Sequence, residues 1–265
     1  LVINNSHSSG VTFSSGVATS SDKIGNLNIT STATFDSTVY ADTLDIDTET
    51  GASTVTFAGN VAGGNWTIET GNSSGSDDAG VNFGGNLSLT SLNIDEDHAS
   101  AEATVTFNGG SAQTVVGNLT TTADGDGIVI INNSNGITFN DDFGVAGNGV
   151  GSLQITSGST MTFKALAASD ATTFDVTGNI DGNGSNGTGG TLIISGGDAA
   201  SNTAGDAAAL ATVTGTTKLT TLTIQGGNAD QDDAGGAVTQ TNFNGNTPVT
   251  TYNVVGGDGG TDTGA

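Results

Sequence analysis

Acidic side chains gather in the glycine-rich stretches of this 265-residue sequence, and carboxylates are the ligands that hard cations prefer. Several close carboxylates, together with backbone carbonyls of glycine-rich turns, supply the oxygen atoms that surround Ca²⁺. A divalent ion would also relieve the repulsion among carboxylates on one molecule. The sequence therefore predicts calcium as a ligand, bound by Asp77, Asp78, Asp95, Asp97, Asp124, Asp126, Asp141, Asp142, Asp230, Asp232, Asp233 and Asp258.

The known calcium-binding motifs are only approached in these loops. Residues 124–128 and 256–260 resemble part of the glycine- and aspartate-rich nonapeptide of calcium-binding β-helices, but the unit is not strictly repeated. The sequence also contains no EF-hand loop that ends in glutamate. Two interpretations of the acidic loops therefore stay open: they form specific calcium sites, or they form a solvated acidic surface.

Catalysis is another chemistry that acidic residues support, because glycosidases use paired carboxylates. Adjacent acids occur at residues 77–78, 141–142 and 232–233. However, the chain has no arginine to clamp a substrate, and neither His7 nor His98 lies in a motif typical of general acid–base catalysis. We therefore expect no enzymatic activity, and a polysaccharide-acting β-helix enzyme is the third function considered.

The overall charge excludes several classes of partner. The 27 acidic residues outweigh 3 lysines, which gives a net charge of −24 and leaves no basic surface. Such a chain cannot neutralise a row of phosphates, so we expect neither nucleic-acid binding nor attachment to an anionic membrane surface. No apolar run is long enough for a transmembrane helix, and the absence of cysteine excludes disulfides and thiolate sites.

Short apolar triplets recur along the whole chain and predict β-strands. In each triplet two apolar residues flank a polar one, which is the period-2 alternation of a strand with one buried face. One type ends in phenylalanine every 22 to 32 residues, at Phe13, Phe35, Phe57, Phe83, Phe107, Phe139 and Phe163. A second type follows, and examples begin at Leu27, Leu44, Trp66, Leu92, Leu153, Leu192, Leu222 and Tyr252.

A repeat of this length, with short strands and glycine-rich corners, is typical of a solenoid. We therefore predict an all-β fold, a right-handed parallel β-helix (β-solenoid) of about ten coils spaced about 4.8 Å apart. An array of β-sandwich domains is the alternative. Residues 1–265 would form a single continuous solenoid segment. Residues 1–6 and 10–13 match residues 129–134 and 136–139, so we expect part of a longer repeat array or a subunit that assembles end to end.

The triplets and the acidic glycine-rich loops resemble those of giant bacterial cell-surface repeat proteins, including surface-layer proteins, adhesins, filamentous-haemagglutinin-like proteins and autotransporter passengers. This resemblance of style covers nearly the whole chain. It implies an extracellular structural protein, a stiff rod within a surface layer, a filament or an adhesin shaft, with calcium as a possible stabilising ion. Expected partners are other copies or neighbouring repeats of the same protein, and cell-surface glycans.

A glycan- or ice-binding surface module is the alternative function. The polar residue of the first triplet is often threonine, so we expect a row of outward threonines along the rod, which is a surface that could bind ice. The predicted row contains Thr12, Thr34, Thr56, Thr106, Thr138 and Thr162. The single tryptophan, Trp66, takes an apolar triplet position, which favours the core over a sugar-stacking surface.

Overall fold

The structure is a computed structural model. It describes residues 1–4, 10–48, 53–70, 78–96, 101–165, 172–184, 187–197, 209–227, 238–246 and 248–256. Every strand pairing in the sheets of these residues is parallel, and they contain no helix. In particular, nothing in this part of the chain forms a helix suited to crossing a lipid bilayer.

Three parallel sheets contain the strands. Sheet 1 has the order β1 (Val2–Ile3), β3 (Ile24–Ile29), β5 (Val39–Thr48), β7 (Val61–Thr70), β9 (Leu87–Asp95), β11 (Gln113–Thr121), β13 (Ile137–Phe139), β15 (Thr160–Lys164), β18 (Gly189–Ser195), β20 (Leu219–Gln225) and β22 (Thr251–Val255). Sheet 2 has the order β17 (Ile180–Asp181), β14 (Ser152–Ile155), β12 (Ile128–Ile131), β10 (Ala103–Phe107), β8 (Ala79–Phe83), β6 (Ser53–Phe57), β4 (Ala33–Phe35) and β2 (Val11–Phe13). Sheet 3 has the order β16 (Thr172–Val176), β19 (Ala209–Val213) and β21 (Val238–Phe243).

Sequential strands alternate between sheets 1 and 2 over the first half of the chain, and each pairs with a strand one coil away. This arrangement is a β-solenoid of about eight turns, which confirms the predicted fold class and is close to the ten coils expected. The β-sandwich alternative is wrong for the described residues, because sandwich sheets are antiparallel.

The buried residues form one continuous apolar cluster from Ile3 to Ile224. Its centre in the first half is a ladder of rings at equivalent positions of sheet 2, whose centroids lie 4.9 to 5.6 Å apart. Parallel in-register pairing places identical triplets one above another, so the rings stack without any further packing device. The ladder contains Phe13, Phe35, Phe57, Phe83 and Phe107.

The phenylalanine triplets change sheets in the middle of the chain. Phe107 belongs to β10 of sheet 2, whereas Phe139 and Phe163 belong to β13 and β15 of sheet 1. The spacing of 32 residues between Phe107 and Phe139 holds two strands, β11 and β12, where the shorter spacings hold one. The Phe107 and Phe139 rings therefore meet edge to face across the core, with centroids 5.3 Å apart.

This change of sheet contradicts the single row of threonines expected from the sequence. Thr12, Thr34, Thr56 and Thr106 do belong to sheet 2. Thr138 and Thr162 pair with each other in sheet 1 instead. The same shift separates the two matching sequence segments, because residues 2–3 lie in sheet 1 and residues 129–131 lie in sheet 2.

A buried polar network marks the coil where the triplets change sheets. Gln113 is 3 % exposed, and its amide nitrogen donates to the carbonyls of Phe83 (3.0 Å) and Gly85 (2.8 Å). Its amide oxygen accepts from the Gly109 N–H (3.0 Å) and from Asn133 Nδ2 (2.9 Å). Because these polar atoms find partners, Gln113 can occupy the interior without the cost of an unpaired buried group.

Candidate functional site

The aspartates predicted to bind calcium divide into two sets. Those among the described residues are Asp78, Asp95, Asp124, Asp126, Asp141 and Asp142. The other set, Asp77, Asp97, Asp230, Asp232, Asp233 and Asp258, lies outside the described residues. The described acids lie at strand ends and in the turns between strands, which are the corners of the coils.

Several of these acids accept hydrogen bonds from backbone N–H groups of a neighbouring coil. At a corner the strand ladder is interrupted, so a backbone donor needs another acceptor, and a carboxylate oxygen provides a strong one. The acids therefore join successive coils at positions where backbone pairing is interrupted. The bonds link Asp78 to Glu102 (3.0 Å), Asp124 to Gly149 (3.0 Å), Asp141 to Gly117 (2.6 Å) and Asp142 to Thr173 (2.7 Å).

Asp124 and Asp126 illustrate why acids close in sequence serve different partners. The Asp126 carboxylate accepts from the Ala123 N–H at 2.8 Å and closes its own turn. Asp124 instead accepts from the Gly149 N–H and from the Thr177 hydroxyl, both on later coils. Among the described residues, no group of three or more His, Cys, Asp or Glu side chains is arranged to hold a metal ion. Calcium binding therefore stays a prediction.

A shallow cavity of about 300 Å³ lies beside the end of β9. We call it the acidic groove, and it is lined by Glu96, Ala101, Glu102, Gly125, Gly127, Ile128, Gly151 and Ser152. Glu96 follows the last residue of β9, and its carboxylate accepts from the Ala103 N–H at 2.9 Å. Burial raises the pKa of Glu96, and the charges of Asp126 and Glu102 raise it further, while bonds from Ala103 and Gly127 oppose the shift.

Two more carboxyl groups are partly withdrawn from solvent. Burial raises the pKa of Asp142, against the bond from Thr173, and the adjacent Asp141 adds to the rise. Asp175 lies on β16 and is 9 % exposed, and burial again raises its pKa, with the charge of Asp124 acting in the same direction. These carboxylates accept backbone hydrogen bonds that hold turns and coils together. This arrangement is typical of a structural role rather than of a general acid–base pair.

The sequence pattern did not single out Glu96, Glu102 or Asp175. Glu96 lies within the acidic run 95–97, so its clustering was a usable signal. Asp175 occurs in the triplet 174–176, where it reads as an outward strand residue. Asp175 is buried against the turn near Gly147, and the Gly147 N–H donates a hydrogen bond to its carboxylate. No pattern in the neighbouring sequence predicts that contact.

Comparison of the chain with protein-family models, with curated proteins and with solved structures finds no match.

The raised pKa values predict that acidification stabilises the fold. The folded protein holds protons on Glu96, Asp142 and Asp175 at a pH where the unfolded chain has released them. Stability therefore falls as pH rises from the ordinary carboxyl range, about 4, through the raised values. We expect the melting temperature at about pH 5 to exceed that at pH 7 by a few degrees.

Acidification also stabilises the fold by reducing the repulsion within a chain of net charge −24. Removing one of the three carboxyl groups separates that general effect from the effect of the raised pKa values. The variant Asp175→Asn should have a shallower melting-temperature profile between pH 5 and 7 than the parent. Asp36→Asn removes an exposed carboxylate for comparison and should leave the slope nearly unchanged. A parent profile that rises toward pH 7 would contradict the prediction.

Proposed function

We propose that this chain is a stiff rod segment of an extracellular structural assembly, such as a surface layer, a filament or an adhesin shaft. The observation that carries the proposal is the continuous apolar column that the parallel sheets enclose from β1 to β20. In such a stack each coil contacts only its neighbours, so the rod lengthens without a change of cross-section. A molecule of this shape acts through its length and stiffness.

The chemistry at the corners supports the same function. Four of the described acids, Asp78, Asp124, Asp141 and Asp142, accept hydrogen bonds from another coil, and the Glu96 carboxylate of the acidic groove accepts a backbone bond from Ala103. A net charge of −24 keeps long rods apart and soluble. The resemblance of the triplets and acidic loops to bacterial cell-surface repeat proteins favours an extracellular location.

We propose further that coils of the same kind cover the two ends of this stack. Tyr252 and Val254 of β22 occupy the register positions of Leu222 and Ile224, yet they are 55 % and 74 % exposed. At the opposite end, Val11 and Phe13 of β2 occupy the register positions of the buried Ala33 and Phe35, yet they are only partly buried. An open parallel edge presents unpaired backbone groups, which a neighbouring repeat or a second copy would pair.

Electron microscopy of the native material, with and without calcium, tests this function. A lattice, a fibre or a long shaft built from stacked coils is the expected result. Isolated short rods that remain monomeric under both conditions would overturn the structural assignment and favour a binding module. Native mass spectrometry of the 265-residue chain adds an independent measurement, because end-to-end association yields a concentration-dependent series of oligomers.

Calcium is expected to raise the melting temperature of the rod. Besides the loop acids, Asp47, Glu69 and Asp95 are direct cross-strand neighbours in sheet 1, and like charges in that arrangement repel. A bound divalent ion would reduce this repulsion and stabilise the folded state by mass action. The measurement is a thermal melt in chelator and in excess calcium.

Two controls separate specific binding from screening. Sodium chloride at matched ionic strength should raise the melting temperature less than calcium does. The variant Glu69→Gln, which removes the middle acid of this row, should lose part of the calcium response, whereas Asp36→Asn should keep it. An identical transition in chelator and in calcium would remove calcium from the proposal.

A further inference from the structure

The outer surface of sheet 2 carries a regular array of threonines, which we call the Thr face. It consists of Thr12, Thr32, Thr34, Thr54, Thr56, Asn82, Thr104 and Thr106, on or directly beside strands β2 to β10. In one column of the array the register joins Thr12, Thr34, Thr56, Asn82 and Thr106 as successive neighbours.

A second column runs parallel to the first, two residues earlier on each strand. Thr54 and Thr104 both pair with Gly80, and the Thr54 N–H lies 3.4 Å from the Thr32 hydroxyl. Strands of one sheet lie about 4.8 Å apart, and alternate residues of a strand about 6.6 Å apart. The threonines therefore recur at two fixed spacings on or beside β4, β6 and β10, whereas Gly80 and Asn82 interrupt the two columns at β8.

Charged side chains are confined to the margins of this surface, where Asp36, Asp78 and Glu102 directly flank β4, β8 and β10. Strands β2, β4, β6, β8, β10, β12 and β14 contain no Asp, Glu or Lys residue. In sheet 1 the outward positions include Asp45, Asp47, Glu69 and Asp95. Strands β2 to β14 of sheet 2 thus carry no charged side chain, and the one acid in that sheet, Asp181 of β17, is buried at its far end.

We infer that the Thr face binds ice. A crystalline ice surface is uncharged and periodic in two dimensions, so it complements regularly spaced hydroxyl groups on strands that carry no carboxylate side chain. Threonine supplies a hydrogen-bonding oxygen and a methyl group from a side chain that is stiff at χ1, so the array is held in place before binding. This activity is separate from the rod function, because it uses the surface of the coils rather than their ends.

A glycan fits the Thr face less well. Sugar-binding surfaces are expected to offer exposed aromatic rings against which the ring of a sugar packs. The phenylalanines of β4, β6, β8 and β10 are fully buried and point into the core. A second copy of the chain is also a poorer occupant, because the face offers hydrated hydroxyl groups and no large apolar side chain on β4 to β10.

Lysine substitutions on two different sheets test the inference in the whole chain. Thr54→Lys and Thr56→Lys place a long charged side chain in the middle of the Thr face. Thr138→Lys makes the same change on the outer side of sheet 1, where Thr138 pairs with Thr162. The measurement is inhibition of ice recrystallisation, with circular dichroism melts to establish that each variant is folded.

The parent protein is expected to suppress recrystallisation. Each lysine on the Thr face should reduce that activity at least several-fold, and Thr138→Lys should retain it. Thr56→Ser, which keeps the hydroxyl group, provides a milder variant should Thr56→Lys fail to fold. The inference is overturned if the folded parent has no more effect than an acidic control protein, or if Thr138→Lys loses as much activity as Thr54→Lys. It is also overturned if the lysines on the Thr face abolish self-association or binding to insoluble polysaccharide while ice inhibition is unchanged.

Discussion

Replacing Gly63 by alanine is expected to destabilise the solenoid by about 3–5 kcal/mol. Gly63 of β7 pairs with Ala41 of β5, and a Cβ atom at this position would overlap the carbonyl oxygen of Ala41. That same oxygen accepts the hydrogen bond of the buried Trp66 indole N–H at 3.2 Å. The added methyl would lie 2.9 Å from the indole nitrogen, so it would separate the two coils and leave a buried donor unpaired.

Gly25→Ala is the matched control for this prediction. Gly25 lies in β3 of the same sheet, an added Cβ would meet no atom within 4 Å, and its φ is not positive. The substitution should be neutral or stabilise the fold by a few tenths of a kcal/mol, because alanine restricts the unfolded chain. Urea unfolding followed by fluorescence of the single tryptophan, Trp66, measures both variants. Equal stabilities for Gly63→Ala and Gly25→Ala would disprove the close approach between the coils.

The class of fold could be predicted because the repeat and the alternation are both local in sequence. Two apolar residues flanking a polar one define a strand with a single buried face, and recurrence at 22 to 32 residues requires that the strands stack. The burial of Trp66 also followed from its place in a triplet, and it is fully buried. These features depend on each residue and its immediate neighbours.

The assignment of triplets to sheets could not be predicted in the same way. A triplet predicts that a strand has an inner and an outer face, but it does not indicate which sheet the strand joins. The two strands that fit between Phe107 and Phe139 move the later triplets into sheet 1, so Thr138 leaves the row of Thr106. The buried Gln113, at that transition, depends on partners up to 30 residues away.

The candidate calcium ligands were predicted from proximity in sequence, and the structure gives neighbouring ones different hydrogen-bond partners. Asp124 and Asp126 are two residues apart, yet one accepts from a later coil and the other closes its own turn. In a solenoid the nearest neighbour of a corner residue is about one coil away along the chain. Acid clusters must therefore be sought across coils, as in the register of Asp47 with Glu69, rather than within one loop.

Phe57→Ala is expected to lower the free energy of unfolding by about 3–5 kcal/mol, the usual cost of emptying a buried aromatic site. The Phe57 side chain is fully buried, and its ring stacks between Phe35 at 5.0 Å and Phe83 at 5.5 Å. Trp66 lies on its third side at 5.4 Å. The neighbouring rings are each fixed by their own strand pairing, so the stack has little freedom to collapse into the cavity.

Phe13→Ala is the matched control, because it removes the same ring from the open end of the same ladder. Phe13 is only partly buried, and among the described residues its ring stacks on Phe35 alone, at 4.9 Å. We expect a smaller loss, about 1–2 kcal/mol. Since each coil is coupled mainly to its neighbours, Phe57→Ala should also increase amide hydrogen exchange in β4, β6 and β8 before it does so in β20. Two outcomes would contradict this prediction: an equal cost for Phe13→Ala and Phe57→Ala, or an equal rise in exchange throughout the rod. In either case the stability of the fold would not depend on the stacked ladder. The column of rings would then be a consequence of coil stacking rather than one of its causes.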